Sequence, residues 1–114
     1  MAKTTPLPPR HLKRLTRQWY ASVLEDYELE PHHVRLLVMA CDAWDRATAA
    51  RDVINAEGLT YIDHRGAPRA RPEVAIERDA RIAFARLIRE LDLDVDVTPE
   101  ASRPPALARN IRRQ

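Results

Sequence analysis

The sequence predicts a mainly α-helical protein, and three observations support this fold class. The 114-residue chain is rich in Ala, Leu and Arg, with only two glycines and 5% aromatic residues, a composition that favours helices. Two long segments, 31–57 and 72–91, contain no Gly or Pro after their first residue. Both glycines fall between these segments, which indicates a turn region there. The predicted order is a short helix, a long helix, a small β-hairpin, a third helix and a tail.

The N-terminal region is predicted to contain an arm followed by a short helix. Residues 1–15 are predicted to be a flexible basic arm, because MAKTTPLPP has three prolines in nine residues. A first helix is expected to begin near Thr16, whose hydroxyl group can cap it. It ends before Pro31, since the residue preceding a proline is disfavoured in the α region. Its apolar side consists of Trp19, Tyr20, Val23 and Leu24.

The second helix is predicted to span the segment from Pro31 to Glu57, with Gly58 as its left-handed stop. It has two apolar stripes, which indicates burial on more than one side. The first stripe consists of Val34, Leu37, Cys41 and Trp44. The second is rich in small residues and consists of Leu36, Ala40, Ala43, Ala47, Ala50 and Ile54. In a chain this short the second side is expected to contact another subunit. The predicted oligomer interface is Leu36, Ala40, Ala43, Ala47 and Ile54.

A β-hairpin at residues 59–70 is expected next, because LTYI is β-branched and aromatic and DHRG forms a turn around Gly66. An isolated two-stranded sheet is marginally stable, so it should pack on a helix or a neighbouring subunit. Pro72 then begins the third helix, which should pack antiparallel to the second. Residues 16–93 are the predicted helical core, and residues 94–114 are a predicted flexible basic tail.

Charge is unevenly distributed along the chain. Residues 1–24 carry five cations and no acid, residues 101–114 carry four cations and no acid, and the middle of the chain holds all seventeen acids. This distribution indicates a partner-binding protein, although solubilising tails would give the same pattern. The basic ends suit contacts with phosphate better than reading of bases.

The sequence gives little support for catalytic or metal-binding residues. Cys41 is the only cysteine, and its position on an apolar face indicates a small buried side chain. His32 and His33 are adjacent and cannot clamp one metal ion as an (i, i+4) pair would. Asp42 and Asp45 could form a carboxylate dyad, but Asp42 is expected to pair with Arg46 on a solvated face. With no glycine-rich phosphate loop, the sequence predicts no enzyme, no cofactor and no metal. It also has no run long enough for a membrane span, and a cytosolic location is expected.

Most of the chain, residues 8–95, resembles the phage terminase small subunit family. The resemblance is carried by LEPHH, AWDRA, EGLTYIDHRGAPRARP and AIERDARIAFARLIREL. Before Pro72, where relatives often have His or Asn, this chain has Arg71. The resemblance implies a non-catalytic subunit that forms rings, binds viral double-stranded DNA and recruits the large ATPase and nuclease subunit in the cytoplasm of the infected bacterium.

From this resemblance and the charge pattern we expect a homo-oligomeric ring of about eight to ten subunits. The expected DNA contacts are Arg10, Lys13, Arg14 and Arg17. Arg109, Arg112 and Arg113 in the tail are expected to contact either DNA or the large subunit. The alternatives are a dimeric DNA-binding regulator, such as a repressor or antitoxin, and a structural adaptor without affinity for DNA.

Overall fold

The computed structural model describes residues 5–93 as three helices and one hairpin. Helix α1 spans Arg14–Asp26, α2 spans Pro31–Glu57 and α3 spans Pro72–Leu91. Strands β1 (Thr60–Ile62) and β2 (Pro68–Ala70) form an antiparallel pair between α2 and α3. The predicted fold class is confirmed, including the hairpin. None of these helices in residues 5–93 is long and apolar enough to span a membrane.

Helices α2 and α3 form the antiparallel pair that the sequence predicts. The Arg51 side chain of α2 donates a hydrogen bond of 2.8 Å from its Nε to Glu77 of α3. Two turns earlier on α2, the ring of Trp44 lies 5.1 Å from the ring of Phe84, between centroids. Residues with higher numbers on α2 therefore contact residues with lower numbers on α3, as in an antiparallel pair. Glu77 also forms an (i, i+4) ion pair with Arg81 of the same helix at 3.6 Å.

The second stripe of α2 faces the interior of the chain itself. Ala40, Ala43, Ala47 and Ile54 are all buried in the single chain, and α2 contacts α3 over an extended surface. Leu36 is half-buried against the core at the other end of α2. The predicted oligomer interface is therefore occupied by elements of the same chain. Small side chains allow two helices to approach closely, and here the helix that approaches is α3, whose Ala80 is also buried.

An apolar core cluster joins α1, the first half of α2 and the end of α3. Its fully or nearly fully buried members are Leu12, Tyr20, Val23, Leu37, Cys41 and Leu91. Leu12 precedes α1 and is only 4% exposed. The predicted arm of residues 1–15 thus extends too far, because Leu12 belongs to the core cluster and α1 already begins at Arg14. The predicted tail, 94–114, lies outside the described residues.

The two glycines occupy the positions that require them. Gly58 ends α2 with φ 94°, and Gly66 lies in the hairpin turn with φ 81°. Both values lie in the region that side chains with a Cβ atom avoid. The six strand residues are all exposed, so within one chain the hairpin is not buried against a helix, and the predicted alternative of a contact with a neighbouring subunit stays a prediction. Instead, Arg71 donates side-chain hydrogen bonds to the carbonyl oxygens of Glu57, Gly58 and Thr60.

Candidate nucleic-acid interface

The predicted DNA-binding cations lie together around the N-terminus of α1. Arg10, Lys13 and Arg14 are exposed, and Arg17 is half-buried. Lys13 is the N-cap residue, Arg14 and Arg17 occupy the first turn, and this turn contains no acidic residue. The N-terminus of a helix carries a partial positive charge from its unpaired N–H groups. The positive charge of these side chains and the partial positive charge of the helix N-terminus therefore lie at the same place.

This arrangement opposes the stability of the helix. Cations near a helix N-terminus interact unfavourably with its dipole, typically by a few tenths of a kcal/mol each. Lys13 has no side-chain acceptor with which to cap the helix, and its side chain makes no capping hydrogen bond. The four cations are thus not explained by the needs of α1 itself, which favours a role in binding.

A carboxylate on α2 provides the missing cap. Asp45 accepts a 2.8 Å hydrogen bond from the backbone N–H of Lys13 and a 2.5 Å hydrogen bond from the hydroxyl of Thr16. The prediction that Thr16 caps α1 is wrong, because Thr16 lies inside the helix and its hydroxyl donates to Asp45. Asp45 therefore fixes both the start of α1 and the position of the basic residues around it.

The second carboxylate of the possible dyad has a related role. Asp42 lies 2.5 Å from Nε2 of His11, just ahead of α1. The predicted pair of Asp42 with Arg46 does not form. Both carboxylates are engaged in holding the segment that precedes α1, so their geometry supports a structural role. Sequence reasoning missed this role; the only available signal was that the two acids lie one turn apart on α2.

The four cations themselves remain without partners in the part of the chain from residue 5 to residue 93. The ion pairs there join other residues, such as Arg51 with Glu77 and Arg69 with Asp63. No side-chain hydrogen bond is made by Arg10, Lys13, Arg14 or Arg17 within that range. Their charge is available to an external anion such as a phosphate group.

An apolar groove adjoins this basic site. It has a volume of about 400 Å³ and is lined by Leu15, Thr16, Trp19, Trp44 and Phe84. Leu15 is 69% exposed and Trp44 is 51% exposed, so part of the apolar lining of the groove is open to solvent. Aromatic side chains near the cations could stack on nucleic-acid bases only where they are exposed. Tyr20 is 1% exposed and cannot do so, and the ring of Trp19 packs against that of Phe84 with centroids 6.3 Å apart.

Cys41 is the buried side chain that the sequence predicts. It is fully buried in the core cluster. Burial raises the pKa of its thiol to about 12, and the nearby charges of Asp45 and Asp42 act in the same direction. Burial also raises the pKa of the Tyr20 hydroxyl, with Cys41 as a second cause. A thiol with so high a pKa stays protonated at neutral pH and is a poor nucleophile.

The remaining candidate residues are less informative. His32 and His33 lie on the first turn of α2 with ring centroids 4.2 Å apart, and within residues 5–93 no cluster of three potential metal ligands occurs. Arg109, Arg112 and Arg113 lie outside the described residues, so their predicted contacts remain predictions.

Comparison with known proteins identifies a family for this chain. No curated protein and no solved structure matches the chain. The family model described as "Phage terminase, small subunit" matches residues 17–101, which include α1 from Arg17 onward, all of α2 and α3, and the hairpin. This match covers most of the 114-residue chain, and the chain therefore belongs to the phage terminase small subunit family.

Proposed function

We propose that this chain binds viral double-stranded DNA through the basic N-terminus of α1 and recruits the large terminase subunit to it. Membership of the family supports a role in phage DNA packaging, and this family is generally non-catalytic. The observation that carries the DNA-binding proposal is the group of four cations at the start of α1, which have no partner among residues 5–93. We place the activity in the cytoplasm of the infected bacterial host.

The proposed contact is with the phosphate backbone. Arg10, Lys13 and Arg14 are exposed and surround backbone N–H groups that also favour an anion. Asp45 holds the first turn of α1 in place, so the cations are presented by a defined element. Contacts of this kind position a protein on DNA without reading its sequence. Recognition of a particular packaging site would then need further contacts.

Assembly would strengthen this binding. We propose a homo-oligomeric ring of about eight to ten subunits, because many copies of one weak phosphate site raise the overall avidity. The stripe of small residues on α2 is buried within the chain, so another surface must form the subunit contact. The groove around Leu15, Trp44 and Phe84 is the surface we propose for it, since it leaves large apolar side chains exposed.

The tail has two possible roles in this scheme. Arg109, Arg112 and Arg113 supply either a second contact with DNA or the docking segment for the large subunit. A chain that ends at Pro104 distinguishes these roles, because loss of DNA affinity supports the first and loss of large-subunit binding supports the second.

The DNA-binding proposal is tested with a paired variant and a matched control. Arg14→Ala with Arg17→Ala removes two cations from the site, whereas Arg35→Ala with Arg89→Ala removes two exposed cations elsewhere. Binding to a fluorescent duplex is measured by anisotropy between about 50 and 200 mM salt. If about six phosphates are neutralised, the wild-type affinity falls on the order of a thousandfold over that range.

The first pair should flatten the slope of log K against log salt by about 0.9 for each lost contact, and the control pair should leave it nearly unchanged. Equal slopes for the two pairs would show that α1 is not the DNA site. A wild-type affinity that does not depend on salt would contradict phosphate binding altogether.

The main alternative is a dimeric DNA-binding regulator, and native mass separates it from the ring. A single assembly of about eight to ten subunits supports the packaging subunit. A dimer that protects a short palindrome in footprinting supports the regulator instead.

A further inference from the structure

The hairpin at residues 59–70 and the Arg71 that follows it carry three cations and one acid. The cations are Arg65, Arg69 and Arg71, and the acid is Asp63. The six strand residues are all exposed, so burial of apolar side chains does not fix the shape of the hairpin. Their positions are nevertheless well defined by hydrogen bonds. The contacts of each cation show whether its side chain stabilises the hairpin or is available to bind a ligand.

Arg71 stabilises the base of the hairpin. Its Nε donates to the carbonyl oxygen of Gly58 at 3.0 Å, and its Nη2 donates to those of Glu57 and Thr60 at 3.2 and 3.1 Å. The Arg71 guanidinium also lies 6.0 Å from the centre of the Tyr61 ring. These contacts attach the hairpin to the end of α2. Arg71 is therefore a structural residue.

Asp63 organises the turn at the other end. One carboxylate oxygen accepts hydrogen bonds from the backbone N–H groups of Arg65 and Ala67, at 2.8 and 2.9 Å. The other accepts a 2.9 Å bond from Nε of Arg69. The backbone of Gly66 closes the turn with a 2.9 Å bond to the carbonyl oxygen of Asp63. The tip of the hairpin is thus ordered before any ligand binds, which lowers the entropic cost of binding.

Arg65 is the cation that this network leaves unused. Its backbone N–H is bonded to Asp63, but its side chain is exposed and has no partner among residues 5–93. Arg69 uses only its Nε in the ion pair, and its side chain is 59% exposed. His64 is exposed beside them. The ordered tip therefore presents cationic donors to the solvent.

We infer that the hairpin is a second DNA-contacting element, with Arg65 at its tip as the main contact. A two-stranded ribbon fits the major groove of B-form DNA, and a guanidinium group bonds well to phosphate oxygens or to a guanine edge. The inference rests on the proposed function, because it adds a contact to the same ligand.

The position of the hairpin relative to α1 supports two separate contacts. Asp45, which holds the start of α1, and Gly58, which ends α2 just before the hairpin, are thirteen residues apart in sequence, or roughly 20 Å along the helix axis at 1.5 Å per residue. That distance corresponds to about six nucleotide steps of 3.4 Å. The two basic elements of one protomer are thus far enough apart to contact different phosphates.

The test compares Arg65→Ala and Arg65→Glu with Arg35→Ala, which removes an exposed cation from the start of α2. All are measured as full-length proteins by anisotropy with the same labelled duplex across a salt series. We expect Arg65→Ala to reduce the salt slope by about 0.9 and the affinity at 0.1 M salt on the order of tenfold, for each hairpin in contact. Arg65→Glu should reduce affinity further, and Arg35→Ala should change neither quantity.

Folding is checked by the melting temperature, which should not change because only the side chain of Arg65 is altered and its backbone N–H still bonds to Asp63. If the wild type binds DNA and Arg65→Ala matches Arg35→Ala, the inference is overturned while the proposed function stands. If the variant instead loses the large subunit and keeps its DNA slope, the hairpin is a protein contact and the inference is also overturned. If the wild type does not bind DNA at all, the proposed function fails as well.

Discussion

The first half of helix α2 and the hairpin that follows α2 are stabilised by different interactions. Near its start, α2 packs in the apolar core cluster, in which Leu37 and Cys41 have no exposed surface. At its end, the hairpin has no buried side chain in either strand and depends on Arg71 and Asp63 for its shape. Burial of apolar side chains contributes more to the free energy of unfolding than exposed hydrogen bonds of this kind. The first region should therefore govern unfolding of the whole chain, and the second only local order.

The largest effect is expected for Leu37→Ala. Its side chain is 0% exposed, and removing it from a packed core leaves a cavity that typically costs about 2–5 kcal/mol. The matched variant is Leu59→Ala at the base of the hairpin, where the side chain is 60% exposed and a change of at most about 0.5 kcal/mol is expected. Urea unfolding at one fixed protein concentration measures both. Similar losses for the two variants would show that Leu59 is covered in the assembled protein.

A smaller effect is expected for Asp45→Ala. This change leaves the Lys13 N–H and the buried Thr16 hydroxyl without an acceptor, which costs about 1–3 kcal/mol. Asp52→Ala removes an exposed acid from the same helix and should change stability by less than about 0.5 kcal/mol. The free energy of unfolding in urea distinguishes them. Asp45→Asn, which keeps one acceptor oxygen, should fall between the two; if all three variants are equal, Asp45 does not cap α1.

The same contrast explains how much of the structure could be predicted from the sequence. The bounds of α2 and the start of α3 follow from Pro31, Gly58 and Pro72, because backbone restrictions act locally. The burial of the small-residue stripe was also predictable, since periodicity shows that a face is covered. Periodicity does not show what covers it, and the stripe packs on α3 of the same chain where another subunit was predicted.

The candidate site was only partly predictable. The cations around the start of α1 have no partner among the residues that the structure describes. They are visible in the sequence as a run without acids, and their predicted role in DNA binding stays a proposal. The contacts of Asp45 with Lys13 and of Arg71 with the end of α2 join residues that are distant in sequence or depend on a turn geometry. Such contacts are set by tertiary packing, which a single sequence does not reveal.

The smallest effect on overall stability, and the one most specific to the hairpin, is expected from the titration of Asp63. The hydrogen bond from the Ala67 N–H is the main cause that lowers the pKa of Asp63 below its usual 3.8, followed by the bonds from Arg69 and from the Arg65 N–H. A lowered pKa in the folded state means that the stabilisation is fully present above about pH 3.8 and is lost as the pH falls through the folded value. The turn should therefore loosen only in strong acid.

The amide signals of Gly66 and Ala67 in NMR spectra report this change, because both N–H groups belong to the turn. Between pH 6 and pH 2 they should shift while the signal of Leu37 in the core keeps its position. Asp63→Asn should remove the part of the shift of these two turn signals that occurs in strong acid, because the side chain at position 63 no longer titrates. Hairpin and core signals that disappear together in acid would show that the two regions unfold as one unit, since local loosening would spare the core. Separate behaviour would instead show that the hairpin loosens in acid while the core around Leu37 stays folded.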